Sequence, residues 1–252
     1  MQQARLATSI QLGLMIALSS LVPDLRAQGG RGTPVRTAKS VAPVDLVGQW
    51  MAVINEDWRY RMMTPAKSDV AGVPLNPAGR KLADSWNPAN DEAAGEQCRS
   101  YGAPGLLRHP LRIRIAWADD DTLKLESDAG MQTRLFSFKE PKGAAGDLQG
   151  VSQPSWDIPA QAGGRGRGGA PPTGGSLMVT TTKMKSGYLR KNGVPYSDKA
   201  VLTEYYDRTN EPDGESWLVV TSIVDDPLYL TQPFVVSTHF KRQTDQSGWE
   251  IR

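Results

Sequence analysis

The sequence predicts a mostly β protein, a single antiparallel meander β-barrel with a short helical insert. From Leu111 onward, apolar residues recur at every second position through successive segments, which is the period of a half-buried strand. The segments are separated by short turns rich in Gly, Asn and Asp, so strands adjacent in sequence are expected to pair. With 18 prolines and 25 glycines in 252 residues, few stretches are long enough to sustain a helix. A hydrophobic fraction of 39% beside 22% charged residues suffices for a real core. It excludes a wholly disordered, collagen-like or polytopic membrane chain.

Residues 1–27 read as a secretory signal peptide. Arg5 precedes an apolar run from Leu6 to Val22, and Pro23 breaks it ahead of a cut expected after Ala27. The run is shorter than the roughly 20 apolar residues of a span and carries Thr8, Ser9, Gln11, Ser19 and Ser20, so no stable membrane span is expected after cleavage. The expected location is periplasmic or secreted. Residues 28–44 form a flexible basic lead, with Arg31, Arg36 and Lys39 and no acid.

The barrel domain is assigned to 45–252. Asp45 to Asn55 reads as a first strand with apolar groups on both faces, which implies cover on both sides. Asn76-Pro77 is a cap and first-turn pair, Leu82 and Trp86 follow at near-helical spacing, and Asn87-Pro88 ends the segment, giving a helical insert over 76–97. Cys98 to Pro110 is a Gly/Pro loop expected to wrap the domain. Leu111 to Trp117 and Thr122 to Ser127 make a hairpin about the acidic turn Asp119 to Asp121, and Met131 to Phe138 continues the meander. Gly150 to Ile158 is a further candidate strand. Residues 161–175, with Arg165 and Arg167 among glycines, form a disordered loop, since glycine cannot offset its ordering entropy. Two such arginines and no basic structured face give no reason to expect a nucleic-acid partner. Ser176 to Met184, Val201 to Arg208, Trp217 to Val224 and Phe234 to Lys241 bring the total to eight or nine strands.

One cysteine, Cys98, excludes an intramolecular disulfide, and two histidines, His109 and His239, leave little material for a metal site; no cofactor is expected. No Gly-x-Ser-x-Gly elbow nominates a nucleophilic serine. On the strand Val201 to Arg208 the faces read Val201, Thr203, Tyr205, Asp207 and Leu202, Glu204, Tyr206, Arg208, so either inward choice brings a carboxylate and a phenol into the barrel. His239 shares the polar face of its strand with Ser237 and Lys241. Glu204 and His239 are therefore the candidates for a general base. Trp50, Tyr206 and Trp217 are the candidate walls of a ligand pocket, with Arg190 and His109 as polar anchors.

Gly48-Gln49-Trp50 on the first strand, ahead of an antiparallel meander, resembles the Gly-x-Trp signature of lipocalins and the wider calycin barrels. Thr203-Glu204-Tyr205 is similar to their Thr-Asp-Tyr motif, and Arg242 to their closing arginine, which stacks over the tryptophan. The departures are a Thr203-Glu204-Tyr205 that falls within a strand instead of a loop, and a long separation from Trp50. The stretch from Val220 to Phe234, Val-Thr-Ser-Ile-Val-Asp-Asp-Pro-x-Tyr-x-Thr-x-Pro-Phe, also resembles a group of uncharacterised exported bacterial proteins. The resemblance implies a barrel interior sized for one small ligand. Three functions are open on this reading. The first is binding of a small hydrophobic or aromatic molecule in the interior. The second is an isomerase, lyase or hydrolase that uses Glu204 or His239 in the same cavity, and the third is an accessory subunit of a cell-envelope protein complex.

Overall fold

Nine antiparallel strands make one sheet in the computed structural model, which describes residues 36–158 and 174–245. The expected signal segment, residues 28–35 of the basic lead and most of the 161–175 loop lie outside those residues. The strands are β1 (Gly48–Val53), β2 (Arg112–Asp119), β3 (Thr122–Ser127), β4 (Thr133–Ser137), β5 (Val151–Asp157) and β6 (Ser176–Thr182). A small separate hairpin follows, β7 (Gly187–Arg190) and β8 (Val194–Tyr196), and then β9 (Val201–Asn210), β10 (Ser216–Asp225) and β11 (Phe234–Gln243). The order across the sheet is β4-β3-β2-β1-β11-β10-β9-β6-β5. Every neighbouring pair is thus consecutive in sequence, apart from β6 with β9, which the β7–β8 hairpin separates, and β1 with β11. First and last strands are laddered, so the seam of this nearly closed antiparallel barrel falls between β4 and β5.

Side chains bridge that seam where the ladder does not. Pro154 stands inside β5, and a proline that cannot donate belongs on an edge strand. Across the gap, the ring of Phe138 stacks on Trp156 at 5.1 Å, and Trp117 lies 6.2 Å from Phe138. The barrel core follows the expected alternation. Trp50, Ile113, Ile115, Leu123, Leu125, Phe136, Leu177, Val179, Tyr206, Leu218, Val220 and Phe240 point inward, and no buried member of this cluster exceeds 4% exposure. Trp50 donates its indole N–H to the Leu46 carbonyl at 3.1 Å, so its one polar group is satisfied inside the core. β1 differs from expectation on one point. Its outward face carries Met51 at 42% exposure, although Gln49 on the same face is buried, so cover on that side is partial.

A second apolar cluster caps one end of the barrel, with Leu202, Val224 and Phe234 from strand ends packed on Val73, Ala103, Met184, Leu189, Val194, Tyr196 and Leu230. Four short helices lie between β1 and β2, α1 (Trp58–Arg61), α2 (Pro77–Ser85), α3 (Pro88–Ala93) and α4 (Ala103–Leu106), of which α2 and α3 fall within the expected 76–97 insert. Asn76 caps α2 by accepting from Gly79 N–H at 2.9 Å, as its sequence pattern predicts. The Cys98 to Pro110 loop contains more order than the sequence suggests, a 3₁₀ turn at Gln97–Tyr101 and then α4. Residues 36–44 are also fastened: Ala38 N–H donates to Asp121 Oδ1 at 2.8 Å and Lys39 N–H to the Asp120 carbonyl at 3.0 Å. No helix among the described residues is long and apolar enough to cross a membrane.

Candidate functional site

Within the barrel, β9 points Leu202, Glu204 and Tyr206 inward. Arg134 on β4 reaches across the lumen to Glu204, Nη1 to Oε1 at 2.9 Å and Nη2 to Oε2 at 2.7 Å, and both side chains are 1% exposed. Arg134 Nη2 also donates to Thr181 Oγ1 at 3.0 Å, and Thr181 shares a hydrogen bond with Ser152 at 2.9 Å. Burial works against the Arg134 charge, but Glu204 outweighs it and holds the guanidinium firmly protonated. Burial first, and then the Glu204 charge, push the Tyr206 hydroxyl well above the ordinary phenol range, so it is neutral. Both oxygens of Glu204 are thereby committed to one cation. The pair joins the seam strand β4 to β9 on the far side of the sheet order, which is a fastening geometry. Trp50 and Tyr206 have 0% exposure, so neither borders a void large enough for water.

A different group of charges gathers beside the cap. α1 contributes Tyr60 and Arg61, the end of α4 leads into Arg108 and His109, and the β7–β8 hairpin contributes Arg190 and Lys191. The backbone brings them together through specific contacts. Asp57, at φ 50, accepts at its carbonyl from the N–H groups of Tyr60 (2.8 Å) and Arg61 (3.1 Å), which closes the single turn of α1. Gly105 lets α4 lie against β7, since a Cβ there would fall 2.5 Å from the Tyr188 carbonyl. Tyr60, Gly105, Arg108, His109, Leu189, Arg190 and Lys191 line the narrow cleft that results.

Arg61, Arg108 and Arg190 are 1%, 7% and 6% exposed. Arg61 donates from Nε to the Arg108 carbonyl at 3.1 Å and pairs with Glu56. Arg108 pairs with Asp57, and Lys191 donates to the Arg61 carbonyl at 2.8 Å. Arg190 has its guanidinium stacked 4.0 Å over the Tyr60 ring. In this cluster four buried N–H-bearing atoms have no hydrogen-bond partner among the described residues: Arg61 Nη2, Arg108 Nη1, and Nε and Nη1 of Arg190. Burial lowers Arg61 to about 10 against the pull of Glu56, and it lowers Arg190 and Lys191 as well; Arg108 depresses both other arginines. The cations therefore repel one another in a site that the surrounding carboxylates compensate incompletely.

The two histidines flank this cluster. His109 is stacked on Tyr101 at 4.6 Å between ring centres, and its Nε2 donates to the Ser100 carbonyl at 2.9 Å, which leaves Nδ1 as a lone pair in the neutral ring. Burial holds it below the ordinary histidine range, and the charges of Lys191 and Arg61 add to that. His239 is on the outward face of β11, opposite Val53, with Nδ1 3.0 Å from Glu56 Oε2. A chain of contacts thus runs His239, Glu56, Arg61, Arg108, and from there to the cleft. Trp217 stands apart on the outward face of β10, half-buried, with Lys241 Nζ 5.9 Å from its ring.

Of the residues that the sequence nominates, His109 and Arg190 line the cleft beside the cap, His239 reaches it only through Glu56, Arg61 and Arg108, Trp50, Tyr206 and Glu204 lie in the barrel interior, and Trp217 joins none of these. The sequence reading misses Arg61 and Arg108, although each stands beside an aromatic residue or a histidine in a short segment, Tyr60-Arg61 and Arg108-His109. Among the described residues no group of three or more His, Cys, Asp or Glu side chains is placed to hold a metal ion.

Fold and site together define a nearly closed antiparallel β-barrel, compatible with a lipocalin-like barrel, that carries a cationic cleft at its capped end. Trp50 and Arg242 are paired across β1 and β11, with the guanidinium 6.0 Å from the indole ring and donating to the Val47 carbonyl at 3.3 Å. That is the contact the lipocalin resemblance implies, although Arg242 lies within the last strand instead of after it. No protein family and no curated protein matches the chain.

Proposed function

We propose that this is an exported binding protein for a small molecule, and that the ligand is held in the cleft beside the cap, with the barrel as its support. The observation that carries this reading is that Arg108 and Arg190, whose buried guanidiniums keep three N–H groups without a partner, line one cleft together with Lys191. A buried donor without an acceptor costs about 1–3 kcal/mol, more when charged, and native proteins keep few of them. Three at one place are readily understood as donors awaiting a ligand. The cleft itself is narrow, about 10 Å³, so the part of the ligand that these donors would hold is a compact polar group. Periplasmic or secreted placement rests on the apolar segment of residues 6–22.

Native mass spectrometry of protein taken gently from its own host's envelope tests the reading. The expected result is a monomer carrying a bound mass of small-molecule size, lost in Arg190→Met. A bare monomer in both samples contradicts it, and a larger co-purifying assembly favours an accessory subunit of an envelope complex instead.

A further inference from the structure

We propose that the cleft recognises a phosphate group, either free or as the monoester head of a small ligand; this rests on the reading of the cleft as the ligand site. The charge balance selects the class. Arg108, Arg190 and Lys191 line the cleft, and one carboxylate answers them, Asp57 on Arg108, while Arg61 behind them is paired with Glu56. Asp69 lies within electrostatic reach of Arg190 but is taken by Arg59. Two positive charges remain in excess. A phosphate monoester carries about −1.5 to −2 near neutral pH, which matches that excess, whereas a carboxylate supplies one negative charge.

Donor geometry points the same way. The unpartnered N–H atoms of the cleft lining come from two guanidiniums on two separate segments, Arg108 in the turn after α4 and Arg190 on β7. Donors arriving from separate elements suit an acceptor with several oxygens distributed around one centre, whereas a carboxylate presents one planar edge to one fork. Arg190 is the best-placed reader. Its stacking on Tyr60 fixes the plane of the guanidinium, and two of its nitrogens are buried with no protein acceptor. Neutral His109 at the cleft wall adds no competing charge.

The test is calorimetric titration of the mature protein with inorganic phosphate, methyl phosphate and acetate at matched ionic strength, with wild type, Arg190→Met, Arg190→Lys and the control Arg80→Gln. Arg80 is an exposed residue of α2, paired within its own helix, and Arg80→Gln should bind as wild type does. Phosphate is expected to bind at least tenfold more tightly than acetate. Arg190→Met should weaken phosphate binding tenfold or more, and Arg190→Lys should recover only part of it because a point charge replaces the fork. Because the Arg190 guanidinium makes no hydrogen bond among the described residues, Arg190→Met should melt no lower than wild type in phosphate-free buffer, which separates lost binding from lost folding. Methyl phosphate binding as well as inorganic phosphate indicates a monoester head, and inorganic phosphate alone indicates the free ion. Acetate binding equal to phosphate, or phosphate binding unaffected in Arg190→Met, overturns the inference. If native mass spectrometry then shows a phosphate-free ligand that Arg190→Met loses, the cleft stands as the ligand site and only its chemistry is wrong. If no ligand of any kind depends on Arg190, both fall.

Discussion

Glu204→Leu separates a fastening role for the barrel carboxylate from a catalytic one. The substitution leaves the Arg134 guanidinium 1% exposed and stripped of both its charge-assisted hydrogen bonds, with only the neutral hydroxyls of Thr181 (3.0 Å) and Tyr206 (3.4 Å) as described acceptors. Removing one partner of a buried ion pair costs about 3–5 kcal/mol. With a urea slope of about 2 kcal/mol per molar for a chain of this size, the unfolding midpoint should fall by about 2 M. Arg134→Met should cost a similar amount, since it leaves the carboxylate buried against the neutral Tyr206 hydroxyl. The double variant Glu204→Leu with Arg134→Met removes both charges while keeping most of the volume, and it should lie within about 1 kcal/mol of wild type or above it. Urea unfolding followed by far-ultraviolet circular dichroism and by tryptophan fluorescence measures all four proteins. The reasoning is refuted if Glu204→Leu unfolds within 1 kcal/mol of wild type, or if the double variant loses as much as the two single variants combined.

Gly193 sits at φ +79 in the β7–β8 turn, where a Cβ would fall 2.0 Å from the Trp86 ring, so Gly193→Ala should destabilise by about 1–3 kcal/mol in a thermal melt. An unchanged melt would mean that the insert can shift away from the hairpin. His109 titrates below the ordinary histidine value of 6.5, so the unfolded chain takes up its proton first as pH falls. Stability that is complete above pH 6.5 should therefore decline as pH falls from there toward the lower folded value, and His109→Gln should decline less over the same range in urea titrations. Cys98 is exposed and free, so air oxidation should give a dimer on non-reducing gels that reductant dissolves and Cys98→Ser never forms. A dimer that persists in Cys98→Ser would point to a non-covalent interface.

Much of the barrel is legible in the sequence because its strands alternate strictly. β9, β10 and β11 are each ten residues long and alternate in burial, with a mostly apolar inward face on β10 and β11 and Glu204 among the inward residues of β9, so their pairing follows from local pattern. Asn76 followed by proline announces α2 in the same local way, whereas Asn87-Pro88, read from sequence as a stop, caps and begins α3. β7 and β8 escape because they are four and three residues long and largely buried, which removes both length and alternation as signals. α1 is a single turn, below the length at which periodicity speaks.

The site divides along the same physical line. His109, Arg190 and His239 can be nominated from residue type alone, but their convergence depends on packing between segments far apart in the chain. Arg134 and Glu204 are 70 residues apart, and nothing near either one announces the other. Arg61 shows the limit most plainly. An arginine in a Trp-Arg-Tyr-Arg segment reads as a solvated surface residue, yet it is 1% exposed because Glu56, the Arg108 carbonyl and the Lys191 side chain enclose it. A buried cation is costly enough to be rare, so sequence reading defaults to the surface and misses it.

The central claim is that the ligand is held beside the cap and that the barrel interior is packed core. The measurement that tests it most directly is a crystal structure of the protein purified from its own host with its ligand retained. The account predicts ligand density against Arg108 and Arg190, with Trp50 and Tyr206 still enclosed by neighbouring side chains. Ligand density inside the barrel, in contact with Trp50 or Tyr206 and with the cleft arginines left unengaged, would contradict it.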